Sequence, residues 1–111
     1  MVIELNAENY QKEVKDSRIP VFVKHYANWC GPCKLMAPVY EKLEQGFKGK
    51  AKLTQLNVDD NAVLAQQNNV RGIPALLFFR GGQEINRITG YQPEPVLKKK
   101  MEEFIATKGT I

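Results

Sequence analysis

The two cysteines of the chain lie close together, in the stretch Trp29-Cys30-Gly31-Pro32-Cys33-Lys34. They follow an apolar run over residues 19–27 and precede a pattern typical of a helix. A cysteine at a helix N-terminus meets unpaired backbone N–H groups and the positive end of the helix dipole, and both favour the thiolate. Because the thiolate is the species that attacks disulfides, Cys30 is predicted to be reactive and Cys33 to resolve the mixed disulfide. The pair is typical of a dithiol–disulfide exchange centre.

The residues between the cysteines fit this chemistry better than they fit a metal site. Gly31 leaves room for the backbone of a partner, and Pro32 at an early helical position gives up an N–H that the helix would not use. Zinc is the alternative use of such a pair, but structural zinc needs four ligands. His25 is the only histidine, so no metal site is predicted.

Hydrophobic periodicity predicts the elements that position the pair. Asn6 and residues 59–61 are expected to cap helices, Pro38 to bend the long helix, and Gly81-Gly82 to form a hairpin turn. The long helix is expected to bury one stripe of side chains: Leu35, Met36, Val39, Tyr40, Leu43 and Phe47. We predict strands over residues 2–5, 21–26, 51–58, 75–80 and 83–89, and helices over about 7–16, 31–47, 60–68 and 93–107.

The order βαβαβαββα predicts an α/β fold, a central mixed five-stranded sheet flanked by four helices. At 111 residues, one domain over 1–111 is expected. No apolar stretch is long enough for a membrane span, and the N-terminus lacks a signal-peptide pattern, so the cytoplasm is predicted. The net charge is +4. The one basic run of the chain, Lys98-Lys99-Lys100, has no interleaved aromatic residues, so nucleic-acid binding is not expected.

The cysteine motif after a strand, with Gly72-Ile73-Pro74 before a later strand, resembles the thioredoxin family. The resemblance covers essentially the whole chain. It implies the thioredoxin fold and the reduction of protein disulfides, with thioredoxin reductase regenerating the dithiol. It also implies that the redox-active disulfide Cys30–Cys33 serves without a bound cofactor. A monomer is expected because the exposed apolar patch is small.

The same resemblance assigns roles to residues around the cysteines. Cys30 would be the exposed attacking thiolate and Cys33 the buried resolving thiol, with Gly31 and Pro32 tuning the redox potential. Pro74 would be a cis-proline packed against the disulfide, and Ile73 would offer its backbone to an extended substrate segment. The implied docking surface is flat and apolar: Trp29, Gly72, Ile73, Pro74, Gly90 and Tyr91.

The strand before the motif departs from the family pattern. Thioredoxins typically carry a buried aspartate under the disulfide and a lysine on the neighbouring strand, and the matching residues here are Lys24 and Gln55. If the strand face that carries Lys24 lies under Cys33, burial depresses the pKa of this lysine. The neutral amine could then act as a base for Cys33, and the ammonium would stabilise the thiolate. In the alternative interpretation Lys24 reaches solvent over a packed stem. His25, on the opposite face, is predicted to be a packed residue.

Two further functions remain open at this point. An ammonium near the sulfurs would raise the reduction potential, which favours an oxidant or a disulfide isomerase. A module that docks a partner through Trp29, Ile73 and Tyr91 without turnover is the alternative outside enzymology. The Gly31-Pro32 pair matches the reducing members of the family, so a protein-disulfide reductase is the preferred interpretation.

Overall fold

The computed structural model describes residues 1–107. A short π-helical segment, Gln11–Lys15, follows the first strand. The strands are β1 (Ile3–Glu4), β2 (Val21–Tyr26), β3 (Lys52–Asn57), β4 (Ala75–Arg80) and β5 (Gln83–Thr89), and the α-helices are α1 (Gly31–Gly46), α2 (Ala62–Gln67) and α3 (Glu94–Ala106). The predicted order of elements is confirmed. The predicted domain boundary at residue 111 lies outside the described residues.

The five strands form one mixed sheet in the order β1-β3-β2-β4-β5. The strands β1, β3 and β2 run parallel, whereas β4 is antiparallel to both β2 and β5. The hairpin between β4 and β5 turns at Gly81 and Gly82, both with positive φ. This arrangement confirms the α/β prediction and the thioredoxin fold, and it places β2 at the centre of the sheet.

Alternate residues of β2 face two separate apolar clusters, as the period of two requires. On one face Phe22 packs with side chains of α1 and α3, including Tyr40 and Leu97. On the other face Val23 packs with the π-helical segment and α2, including Val14 and Ala65. Helices therefore cover both faces, and β2 is buried except for Tyr26 at its end.

The helix predicted over residues 7–16 is shorter and less regular than expected. The side chain of Asn6 closes the turn before it, because its Oδ1 accepts hydrogen bonds from the N–H groups of Glu8 at 2.8 Å and Asn9 at 2.9 Å. The N-cap of the helical segment itself is Tyr10, which makes no capping hydrogen bond with its side chain. The segment then widens into a π-turn, in which the N–H of Asp16 donates to the carbonyl of Gln11. The predicted four helices are thus three α-helices and this segment.

Two local predictions about the helices are wrong. Leu35 is exposed rather than buried, because the buried side of α1 runs through Cys33, Met36, Tyr40 and Leu43. The side chain of Asn61 does not cap α2; the preceding turn is closed instead by Asn57, whose Oδ1 accepts from the N–H groups of residues 59 and 60. Pro38 lies inside the continuous helix α1, and the bend expected there stays a prediction. None of the helices in residues 1–107 is long and apolar enough to cross a membrane.

Candidate active site

The two cysteines form a disulfide at the point where the chain leaves the sheet and enters α1. Cys30 is the N-cap residue of the helix, with extended backbone angles, and Pro32 occupies its first turn. The N–H of Cys33 donates a hydrogen bond to Sγ of Cys30 at 3.2 Å. One of the unpaired N–H groups of the helix start therefore points at this sulfur, and this geometry favours a negative charge on it.

Both cysteines are nearly inaccessible in the disulfide form. Cys30 is 4% exposed and Cys33 is 3% exposed, so the expectation of an exposed Cys30 is wrong for this state. They pack with Ala27 in a small apolar cluster that Tyr26, Val58 and Ile73 border. Burial alone does not distinguish the two sulfurs, whereas the N–H hydrogen bond does, because Cys30 Sγ accepts it.

The loop before β4 reaches the disulfide from the opposite side. The Ile73–Pro74 peptide bond is cis, as the resemblance implied, and Sγ of Cys30 lies 3.9 Å from the carbonyl oxygen of Ile73. The N–H of Gly90 donates to the carbonyl of Pro74 at 2.7 Å. Gly90 has a φ of +95° and open space where a Cβ would lie, so its backbone conformation, not close packing, accounts for a glycine there.

The residues predicted to dock a substrate surround this point of contact. Trp29 is 69% exposed, and its indole Nε1 donates to Oδ2 of Asp59 at 2.9 Å. Tyr91 and Gly72 are exposed and Ile73 is half-buried, whereas Pro74 is buried. The structure thus joins Cys30, Ile73, Pro74 and Gly90 through direct contacts, with Trp29 and Tyr91 next to them in the chain.

Lys24 lies on the same face of β2 as α1 and is 3% exposed. Its Nζ lies 4.9 Å from the centre of the Tyr40 ring and 5.4 Å from that of Tyr26. Burial lowers the pKa of Lys24, and the charges of Glu41 and Glu4 oppose that shift. Most of the Lys24 side chain is therefore packed inside the protein.

A cavity of about 390 Å³ connects Lys24 to Cys33. The cavity lies between β2, the loop after β2, strand β3 and the first turns of α1. It is lined by Lys24, Tyr26, Ala27, Asn28, Cys33, Lys34, Ala37 and Gln55. Cys33 and Lys24 therefore share one cavity. A small molecule such as water has a path between them.

A carboxylate beside this cavity was missed by sequence reasoning. The hydroxyl of Tyr26 donates to the carboxylate of Glu4 at 2.9 Å, and Nε2 of Gln55 donates to it at 2.8 Å. Burial and the neighbouring carboxylate raise the pKa of Tyr26 to about 12. Only the register of the strands, which sets Glu4 beside Gln55 and Gln55 beside Lys24, could have indicated this contact.

His25 is completely buried on the opposite face of β2. Its Nε2 lies 3.2 Å from Nδ2 of Asn68, and its Nδ1 lies 3.3 Å from the carbonyl of Val23. Burial lowers the pKa of His25 to about 4. The ring is therefore neutral near pH 7 and accepts from the amide of Asn68, so the prediction of a packed residue is confirmed. Within residues 1–107, no three His, Cys, Asp or Glu side chains are grouped as a metal site requires.

Comparison with known proteins agrees with this geometry. The family model described as thioredoxin matches residues 1–103. A thioredoxin of Chlorobaculum thiosulfatiphilum is 39% identical, over 92% of this chain and 94% of that protein. A thioredoxin of Haemophilus influenzae is 38% identical, over 94% of this chain and 97% of that protein, and one of Synechocystis is 36% identical, over 92% and 95%. These matches and the Cys30–Cys33 disulfide do not favour a docking module without redox chemistry. The chain belongs to the thioredoxin family and is a thiol–disulfide oxidoreductase.

Proposed function

We propose that this oxidoreductase works as a reductant of protein disulfides, with Cys30 attacking and Cys33 resolving. The observation that carries the order of attack is the hydrogen bond from the N–H of Cys33 to Sγ of Cys30. A donor aimed at a sulfur stabilises its thiolate more than its thiol. Cys30 Sγ is also the sulfur beside the carbonyl of Ile73, which is where an extended substrate segment would pair.

The reaction proceeds by two exchange steps. The Cys30 thiolate attacks one sulfur of the substrate disulfide, forms a mixed disulfide and releases the other substrate sulfur as a thiolate. Cys33, once deprotonated, attacks Sγ of Cys30, reforms the Cys30–Cys33 disulfide and releases the second substrate thiolate. Two electrons have then moved from the protein to the substrate. A reductase must return them, and the family membership supports thioredoxin reductase as that partner.

The docking surface supports a protein substrate. Trp29 and Tyr91 expose their aromatic side chains, and the backbone of Ile73 borders the disulfide. An extended segment can add its main-chain hydrogen bonds here while its side chains contact the aromatic rings. Gly31 and Pro32 are exposed in the first turn of α1 and leave room for that segment. We further propose that the protein acts as a monomer in the cytoplasm and does not bind nucleic acid.

Trapping of the mixed disulfide tests the assignment of the two cysteines. Cys33→Ser should capture a peptide carrying an activated disulfide as a stable one-to-one adduct on Cys30, detected by intact mass. Cys30→Ser should form that adduct at least a hundredfold more slowly at pH 7. Equal capture by both variants would overturn the order of attack.

The direction of electron flow needs a separate measurement. The reduction potential follows from equilibrating the protein in graded glutathione buffers and trapping its thiols. A pair that stays oxidised until the buffer is strongly reducing is expected for a reductant. A pair that is reduced at the glutathione poise would refute the reductant and favour an oxidant or isomerase.

A further inference from the structure

The amine of Lys24 has neither an ion pair nor a hydrogen bond within the described residues. In residues 1–107 its Nζ makes no ion pair and no hydrogen bond, and its contacts are the faces of two tyrosine rings. That part of the chain also holds no fully enclosed side-chain nitrogen or oxygen without a partner. Nζ must therefore touch the cavity that it shares with Cys33. Buried polar groups normally have a hydrogen-bond partner, so the partner of this amine is expected to be a group that is bound in the cavity only transiently.

The charged groups around the cavity explain why Lys24 is left without an ion pair. From β1, Glu4 faces Lys24, but Tyr26 and Gln55 hold its carboxylate. From α1, Glu41 acts on Lys24 only through its charge, and Lys34 lines the cavity from an exposed position. From β4, the register neighbour is Leu76, which is apolar. Tyr40 gives its hydroxyl to backbone carbonyls instead.

We propose that Lys24 is the proton acceptor for Cys33 in the resolving step. This inference rests on the proposed function, since it assumes that Cys33 resolves the mixed disulfide. The neutral amine takes the proton from Sγ of Cys33, directly or through one water molecule, and becomes an ammonium. The Cys33 thiolate then attacks Sγ of Cys30, and the substrate thiolate leaves. The proton stays on Lys24 until it passes to solvent or to the departing thiolate.

Burial gives Lys24 both properties that this role needs. Desolvation lowers the pKa of its amine, so at a given pH a larger share of Lys24 is neutral and able to accept a proton than of an exposed lysine. After the transfer, the ammonium and the thiolate are opposite charges beside one shared cavity, where their attraction exceeds that in bulk water. Glu4 and Glu41 keep the ammonium from becoming too acidic, because their charges raise the pKa of Lys24.

Two substitutions at Lys24 separate proton transfer from charge alone. Lys24→Met keeps the length of the side chain and removes the amine, and Lys24→Arg keeps a cation that does not give up its proton. The matched control is Lys52→Met, on β3, whose amine is paired with Glu13 at 2.9 Å and does not line the cavity. All variants are used as full-length chains, with near-ultraviolet circular dichroism confirming that each is folded.

The first readout is the titration of the reduced protein, followed by thiolate absorbance. Lys24→Met should move the titration of Cys33 to higher pH by about one unit, a tenfold loss of its thiolate at a fixed pH. Lys52→Met should leave the thiolate at the wild-type fraction. A titration in Lys24→Met that matches the wild type would overturn the proposal.

The second readout is the rate at which Cys33 releases a peptide thiol from a preformed mixed disulfide on Cys30. At pH 7 we expect this rate to fall about tenfold in both Lys24 variants and to stay unchanged in Lys52→Met. If Lys24→Arg resolves as fast as the wild type, proton acceptance by Lys24 is refuted. Failure of Cys33→Ser to trap a substrate would instead refute the proposed function, so the two failures are distinguishable.

Discussion

Acidification is expected to destabilise this protein because His25 must be neutral in the folded state. The ring is completely buried and its Nε2 faces the amide of Asn68, which in turn donates to the hydroxyl of Tyr10 at 3.0 Å. A proton on Nε2 would set two donors against each other at a ring that is completely buried. Burial accordingly lowers the pKa of His25 from 6.5 to about 4.

The size of the effect follows from proton linkage. In the unfolded chain His25 titrates near its ordinary pKa of 6.5, so between pH 6.5 and pH 4 the unfolded state binds the proton and the folded state does not. Stability is therefore fully present above that window and is lost as the pH falls through it. The shift predicts a loss of about 2 kcal/mol between pH 8 and pH 5, rising to about 3 kcal/mol below pH 4.

Urea unfolding of the oxidised protein at a series of pH values measures this loss directly. The interval from pH 8 to pH 5 is the informative one, because ordinary carboxylates titrate mostly below it and the chain has no second histidine. His25→Phe should remove most of the pH dependence in this interval, whatever it does to the stability at pH 8. The control Tyr10→Phe removes a hydroxyl of the same network and should keep the wild-type slope.

Two outcomes would refute this reasoning. The first is a wild-type free energy of unfolding that changes by less than about 0.5 kcal/mol between pH 8 and pH 5, since linkage then leaves no room for the shift. The second is a His25→Phe variant with the same slope as the wild type. Either result would mean that the folded state accommodates the imidazolium.

Two further predictions concern stability. Gly82→Ala should lower the free energy of unfolding by about 2 kcal/mol or more, because a Cβ there would lie 2.7 Å from the carbonyl oxygen of Lys15 at a φ of +80°. Gly81→Ala, which has open space at a φ of +62°, should lower it by about 1 kcal/mol. Equal losses in urea unfolding would contradict this. Tyr40→Phe should cost about 1 kcal/mol in the same assay, because the buried hydroxyl shares its one hydrogen between the carbonyls of Phe22 and Thr54. An unchanged midpoint would show that this hydrogen bonding contributes nothing.

The sequence predicted most of the sheet because strand patterning and turn residues are local signals. The bounds of β2, β4 and β5 match the predicted ones, since apolar β-branched and aromatic runs end at clear breaks. The predicted length of the first helix was too great, because a capping residue such as Asn6 starts a turn without specifying how far the helix continues. Leu35 was predicted to be buried because it is apolar and precedes Met36, but it lies outside the buried side of α1, which runs through Cys33, Met36, Tyr40 and Leu43.

The site was only partly predictable, because many of its contacts join residues that lie far apart in the sequence. The cysteine pair and Pro74 belong to short motifs, so the sequence identified them. The partners of Glu4 lie on β2 and β3, at Tyr26 and Gln55, and only the register of three strands brings them together. Asn68 reaches His25 in the same way from the end of α2. No local pattern encodes such contacts.

Lys24 and His25 are adjacent, buried and titratable, and the contrast between them bears on what each one does. His25 is surrounded by partners: the amide of Asn68 satisfies Nε2 and a backbone carbonyl faces Nδ1. Lys24 has tyrosine ring faces and a cavity that it shares with Cys33. A residue retained for structure is expected to have its hydrogen bonds completed by the fold, as those of His25 are. A group that must gain and lose a proton needs a neutral state that the protein tolerates and an open path to the donor, and at this strand only Lys24 has both.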